Sequence, residues 1–237
     1  MPRIARIVIP GIPHHVVQRG NNRQDVFFVD DDWVHYLALL KEESERFGVE
    51  VMGYCLMTNH IHVIATPFGE DALAKAVGRT HYRYTQYINR FHGRSGHLWQ
   101  NRFDSCALDE GHFWSALRYV ERNPVRARMV KGATAYRWSS ADAHVTGADR
   151  SGLLDMAGWA RHMEGGEWGE LLRQRVEKEE TATLRTCTHR GWPLGTNRFV
   201  AKFERMLGRR LRPSPLGRPR KKDKPVAKKR AKIKGKK

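Results

Sequence analysis

Apolar and polar positions change period several times along the first 150 residues, and each change marks an element. His14–Arg19, "HHVVQR", is a short β-prone run that ends at Gly20-Asn21-Asn22, a turn signal. In "DDDWVHYLALLKEESERFG", Trp33, Tyr36, Leu37, Leu40 and Phe47 recur at helical spacing. Aspartates open that segment and Gly48 closes it, so a helix is expected. Val49–Met57 and residues 60–66 are two strand-like runs separated by Thr58-Asn59, the length of a hairpin turn. A second helix is expected over 70–91. Leu73, Val77, Thr80, Tyr84, Tyr87, Ile88 and Phe91 line one side of it, and Lys75, Arg79, Arg83 and Arg90 crowd the other. A strand over 97–108 and a third helix over 110–122 follow. The helix is interrupted at Asn123-Pro124, after which "VRARMV" continues as a short helix. "YRWSSADAHV" has the pattern of a capped helix start.

The resulting order, β-α-β-β-α-β-α, predicts an α+β domain on an antiparallel sheet, ferredoxin-like in sequence of elements, over residues 1–150. Residues 151–211 form a small helical extension, with helices expected over 168–180 and 196–211 around "HRGWPLGTN". That extension is a candidate helix-turn-helix and so a candidate DNA-binding element. Residues 212–237 are rich in Pro, Gly and Lys and hold almost no large apolar residue, which makes them a disordered basic tail.

Charge changes the picture more than composition does. The 237 residues are 40% hydrophobic, enough for a real core, yet carry a net charge of +18. Such an excess points to a polyanionic partner, most often nucleic acid. It is uneven: 15 Lys/Arg against one acid, Asp223, over residues 209–237 supply +14 and leave +4 for everything before. The three cysteines, Cys55, Cys106 and Cys187, lie far apart without a CxxC, so a reducing compartment is expected and a disulfide framework is not. The N-terminus lacks an apolar signal-peptide core, and no apolar run reaches the ~18–20 residues needed to span a bilayer.

The candidate chemistry begins at "TNHIHVIA". On a strand, i and i+2 lie about 6.5–7 Å apart on one face, so His60 and His62 point together while Ile61 and Val63 point away. Two imidazoles at that distance can converge on one divalent ion. Spacing alone is weak support, and two half-buried strand histidines without a ligand remain an open alternative. Downstream, in "HFWSALRYVERNPVR", Phe113, Leu117 and Val120 make the buried stripe of a helix. Tyr119 lies about 200° round from Leu117, and Asn123, four residues on, shares its face. Tyr119 as an ordinary amphipathic tyrosine, and Asn123 as the cap of a helix opened by Pro124, are the plain alternatives.

These residues together resemble a known family. A His-hydrophobic-His triplet, His60-Ile61-His62, followed by a helix carrying Tyr119 in "RYVERNPVRARMV", is similar to the single-tyrosine HUH transposases, the IS200-like transposases. Within them it resembles the REP-associated tyrosine transposases of bacteria. "HHVVQRGNNRQDVFF", "GYCLMTNHIHVIATP", "GHLWQNRF" and "YRWSS" agree, and so does the segment from "GWPLGTNRFV" onward. The resemblance implies an HUH endonuclease fold and a metal-dependent single-stranded DNA endonuclease and strand transferase acting beside palindromic repeat hairpins. Tyr119 would be the nucleophile and would form a 5′-phosphotyrosine. His60, His62 and a polar ligand such as Asn123 would hold Mg²⁺, with Mn²⁺ able to substitute. Related transposases carry a glutamine where this chain has Asn123, a shorter arm. The resemblance also implies a bacterial cytoplasmic, nucleoid-associated protein. It would act as a monomer with the tyrosine in cis, although mobile-element relatives exchange the tyrosine helix between two subunits. No nucleotide cofactor is expected, since the bond energy is kept in the phosphotyrosine and the sequence has no Walker motif. Two other readings stay open. One is a non-catalytic protein that binds repeat hairpins; the other is a relaxase or replication-initiator nickase of the same class.

DNA contacts are expected at Arg19, Asn21, Asn22 and Arg23 on the polar turn after the first strand. Trp99, Gln100 and Arg102 combine a stacking surface with a cation. Arg218 and Arg220 in "GRPR", residues 217–220, resemble the core of an AT-hook that lays Arg in a narrow minor groove. Trp99 as a core tryptophan and 217–220 as solvated tail are the alternatives.

Overall fold

The computed structural model describes residues 6–163, 167–175 and 177–212. The expectations for the basic tail, Arg218 and Arg220 included, lie outside the described residues. The elements in chain order are β1 (His14–Arg19), a 3₁₀ turn (Asn21–Arg23), α1 (Asp30–Phe47), β2 (Val49–Met57), β3 (His60–Pro67), α2 (Ala72–Phe91), β4 (Asp104–Ala107) and α3 (Glu110–Glu121). They continue with α4 (Asn123–Arg126), α5 (Ala141–Thr146), α6 (Met156–His162), α7 (Trp168–Arg173), α8 (Lys178–Arg190) and α9 (Asn197–Leu207).

The four strands form one antiparallel sheet in the order β2-β3-β1-β4. β3 is inserted between β1 and β2, the split β-α-β arrangement of a ferredoxin-like fold. The α+β class with this element order is therefore the observed one. The register fixes the site: Val17 pairs with His62, Arg19 with His60, Cys55 with His62, and His15 with Cys106.

Local chemistry explains the frame. Asp32 Oδ2 accepts from the Phe28 and Val29 N–H groups at 2.8 and 3.1 Å and so closes the start of α1. Gly48, left-handed at φ 66°, ends it, its N–H donating to the Ser44 carbonyl. One sheet face, bearing Val16, Leu56, Ile61 and Val63, packs under α1 and α2. The rings of Phe27, Trp33, Tyr36 and Tyr84 fill that layer. The opposite face bears Gly53, Cys55, His62 and His15 and lies under α3 and α8. Gly53 permits the close approach of α3, because a Cβ there would sit 2.3 Å from Leu117 Cδ1. The Asp109 side chain caps α3 by accepting from the His112 N–H at 3.0 Å.

The helices after α3 share the same core. Trp159, Trp168, Leu172, Leu184 and Leu194 join the cluster that contains the strands. A buried carboxylate pins three of these elements together. Glu121 Oε1 accepts from Ser140 Oγ and His144 Nδ1, each at 2.5 Å, and Oε2 accepts from Trp168 Nε1 at 2.7 Å. α9 packs Val200 and Phe203 onto Ile7, Ile9 and Leu211, a second and smaller cluster.

The elements differ from expectation in several places, among them the short helix expected over "VRARMV", which stops at Arg126, and the helix expected over 196–211, which stops at Leu207. The strand expected over 97–108 is regular only at Asp104–Ala107. Leu98 and Gln100 extend the edge of β1 through hydrogen bonds to Asn21 and Arg19, but Asn101 turns left-handed at φ 57° and breaks the run. The helix expected over 168–180 is two: α7 stops at Arg173, Gln174 is extended, and α8 begins at Lys178. Helix α6, capped by the Asp155 side chain on the Gly158 N–H, was not anticipated.

Candidate active site

The alternation of β3 and the register with β1 put His15, His60 and His62 on the face beneath α3. The His60 and His62 rings are 5.1 Å apart at 81°, and His62 lies nearly parallel to His15, with centroids 5.2 Å apart at 6°. Tyr119 stands edge-on to both His62, at 5.7 Å, and His15, at 5.9 Å. It points off the Phe113–Leu117–Val120 stripe, as its helical angle demands, yet only 2% of it is exposed. Two arginines cover it. The Arg126 guanidinium lies 4.1 Å from the ring centroid, and Arg185 Nε donates to Tyr119 Oη at 3.1 Å.

Hydrogen bonds set the proton positions of the paired histidines. Asn59 Nδ2 donates to the Arg23 carbonyl at 3.2 Å, which turns Asn59 Oδ1 toward His60. His60 Nδ1 must then donate to Asn59 Oδ1 at 2.6 Å, and its Nε2 carries no proton. Burial lowers the His60 pKa from 6.5 to about 4, with Arg126, Arg19 and Arg185 adding to the shift. Burial, followed by the neighbouring His15 and His60, holds His62 well below its ordinary value. Both rings are thus neutral, the form that ligates a metal.

Asn123 is 4% exposed and sits beside them, its Nδ2 3.4 Å from His60 Nε2 and its Oδ1 accepting from Arg126 Nη2. It is not the cap of α4. Arg122 occupies that position, and Asn123 is already helical, because the backbone bends through Arg122 without leaving the helical hydrogen-bond ladder. Among the described residues no group of three or more His, Cys, Asp or Glu forms a metal cluster. The donor set is two imidazoles plus one carboxamide. Two neutral imidazoles on one strand face are donors of the kind a divalent ion takes. The carboxamide oxygen is engaged by Arg126 and would have to be released first.

The other expected contact residues divide. Arg19 lines the cleft and donates through Nε and Nη2 to Gln100 Oε1 at 3.2 and 2.8 Å, so Arg19 and Gln100 form one polar unit. Asn22 and Arg23 are exposed and left-handed, at φ 52° and 61°, on the turn that also holds Asn21, and Arg23 lines the cleft. Arg102 is exposed at the cleft wall. Trp99 matches the alternative of a core tryptophan more closely: it is mostly buried, stacked on His81 at 4.3 Å and near Tyr36 and Tyr84. His81 takes one of its faces, and the ring reaches the wall of a cleft shared with Gln18, Asn101 and Arg102.

The cleft over Tyr119 has a volume of about 740 Å³. A second cleft of about 420 Å³ shares Asn101, Arg102, Asp104, Thr188 and His189 with it and adds Arg6, Arg190, Arg209 and Arg210 to a basic wall. His15, Asn59, Arg126, Arg185 and Thr188 were missed by sequence reasoning. Arg126 was within reach, three residues after Asn123 on the same helical turn. His15 depends on strand register, and Arg185 and Thr188 on a helix more than 60 residues away.

A ferredoxin-like sheet whose central strand presents a His-hydrophobic-His pair to a helix-borne tyrosine is the HUH endonuclease type of fold. Residues 9–123, which include both histidines, Tyr119 and Asn123, match the family described as "Transposase IS200 like", so this part of the chain is similar to that family. A solved structure described as a REP-associated tyrosine transposase bound to a REP hairpin has this fold. It is similar with a TM-score of 0.54 and 19% identity, over 66% of this chain and 90% of that one. A putative transposase from Deinococcus radiodurans R1 is also similar, with a TM-score of 0.36 and 17% identity over 51% and 97% of the two chains. No curated protein matches this chain. Among the described residues no helix is long and apolar enough to cross a membrane.

Proposed function

We propose that this protein is a REP-associated-type transposase that cuts and rejoins single-stranded DNA beside palindromic hairpins through Tyr119. One observation carries the reading. A single cleft gathers a helix-borne phenol, two neutral imidazoles each able to present a bare Nε2, and arginines placed to receive a phosphate. The reading keeps the tyrosine in cis, in a monomer, with Tyr119 packed over the histidines of its own chain.

In the cutting step Tyr119 Oη attacks phosphorus and loses its proton to water. The P–O3′ bond breaks and the freed 3′-oxygen takes a proton from water, leaving a 5′-phosphotyrosine. Arg185 and Arg126 neutralise the charge that develops on the attacked phosphate. A second 3′-OH reverses the reaction and joins strands. His60 and His62 would hold a divalent ion, Mg²⁺ or in its place Mn²⁺, with Asn123 as a third ligand once it leaves Arg126. When bound, such an ion withdraws charge from a phosphate oxygen and orients the group. Arg19, Asn21, Asn22, Arg23, Gln100 and Arg102 would guide the strand in, and the second basic cleft would carry it onward.

Replacing Tyr119 with Phe tests this. The ring stays and the nucleophilic oxygen goes, so covalent protein–DNA adducts should vanish from a denaturing gel while hairpin binding stays near wild type. Adducts that persist would make another residue the nucleophile. A wild type that binds hairpins but never forms adducts would favour the non-catalytic reading.

A further inference from the structure

We propose that His15, held by Thr188 of α8, is a positioning residue that fixes the proton on His62 Nδ1 and thereby keeps His62 Nε2 bare for the ion. The inference rests on the metal role proposed for His60 and His62, and it assigns to two residues outside that pair the task of preparing it.

The argument is a count of hydrogens along a buried chain of contacts. Thr188 Oγ1 lies 2.8 Å from the Leu184 carbonyl oxygen. Two oxygens that close need a proton between them, and a carbonyl has none, so the Thr188 hydroxyl donates there. Cys106 Sγ, 3.2 Å from the same hydroxyl, is left to donate its own proton. Thr188 then has no hydrogen to offer His15, whose Nδ1 is 2.9 Å away, so His15 Nδ1 donates to Thr188. His15 is 1% exposed, and its ring nitrogens meet a hydroxyl and another imidazole rather than an acid, so it is neutral and its Nε2 is an acceptor. The His15 Nε2 to His62 Nδ1 distance is 2.9 Å, and the only proton available to fill it is on His62 Nδ1. His62 Nε2 is therefore unprotonated before any ion arrives. His60 reaches the same state by a separate route, through Asn59.

The alternative proton order runs backward. If Thr188 donated to His15, His15 Nε2–H would donate to His62 Nδ1, and the His62 proton would sit on Nε2, where it blocks ligation. The contact between Thr188 and Leu184 excludes that order. The bridge therefore makes the docked position of α8 part of the metal site, although α8 supplies no ligand.

The test uses the full chain with ¹⁵N-labelled histidine. Long-range ¹H–¹⁵N correlation should show His62 protonated on Nδ1 in the metal-free wild type and in Thr188→Ser, which keeps the hydroxyl. Thr188→Val keeps the shape and removes the acceptor, and His15→Leu removes the bridge. In both variants the His62 tautomers should mix. Mn²⁺ affinity, read by electron paramagnetic resonance of the free ion, should fall ~10-fold or more in both, the usual effect of losing an outer-shell partner, and Thr188→Ser should restore it. Melting temperatures identify a variant that merely misfolds. His62 protonated on Nε2 in the wild type overturns the proposal. So do wild-type Mn²⁺ affinities in both Thr188→Val and His15→Leu when the wild type itself binds Mn²⁺. A wild type that takes up no Mn²⁺ while His62 keeps its proton on Nδ1 sinks the metal reading itself, and the purpose assigned to the bridge goes with it.

Discussion

The two faces of the sheet use the same strands for opposite ends. Under α1 and α2, Val16, Leu56, Ile61 and Val63 meet aromatic rings and bury apolar surface. One residue over in each strand, His15, Cys55 and His62 face α3 and α8 and bury polar groups whose hydrogen bonds must all be arranged. Ile61 makes the contrast plain, since it lies between two candidate ligands and points the other way. Period-2 alternation lets one strand serve stability on one side and chemistry on the other, so a one-residue slip would exchange them.

The comparison can be broken most severely with acid. Burial is the leading cause that sets the pKa of His14 and His60 at about 4, and of His15 and His81 at about 3, against an ordinary 6.5. These rings are neutral when folded and protonated below about 6.5 when unfolded. Stability is therefore full above that pH and drains as pH falls toward 4, each ring contributing up to about 1.4 kcal/mol per pH unit. Thermal unfolding in metal-free buffer at pH 7 and pH 5 should show a large loss at the lower pH. An unchanged melting temperature would mean these rings are not held neutral.

Leu56→Ala strikes the apolar face alone. It should lower the unfolding free energy by about 2–5 kcal/mol in a denaturant titration, with adduct formation per folded molecule unchanged. Arg185→Ala strikes the polar face alone. Adduct formation should slow ~10²-fold, by analogy with loss of one donor to a developing charge, with little change in melting temperature. A matching loss of stability would place Arg185 in the frame rather than the chemistry. Gly53→Ala joins the two effects, since its Cβ collides with Leu117 and displaces α3. It should cost about 1–3 kcal/mol of stability and slow adduct formation through Tyr119.

Much of the frame was legible because it is written in local periods. β1, α1 and β2 fall where alternation, helical spacing and Gly48 place them. The His60–His62 pair and the placement of Tyr119 off the buried stripe follow from the same rules. What was not legible depends on contacts between distant segments. Trp99 and Arg102 look alike as candidates in "LWQNR", yet one is buried against His81 and the other exposed, because the left-handed Asn101 between them redirects the chain. Asn123 before Pro124 has the pattern of a cap, but its side chain goes to Arg126 and His60 instead. Nothing local in "LRTCTHR" shows that Arg185 and Thr188 reach the tyrosine and His15.

The position of α8 has a consequence for the chain as it is made. Tyr119, His60 and His62 all leave the ribosome well before Arg185 and Thr188 exist. At ~5–20 residues per second, the stretch from Tyr119 to Thr188 occupies roughly 3–14 s of synthesis. During that interval the nascent chain has its tyrosine and both strand histidines, but neither the guanidinium that contacts the hydroxyl nor the hydroxyl that orders the imidazole protons. Translation thus supplies a timer: the candidate site is completed only after most of the protein has been made.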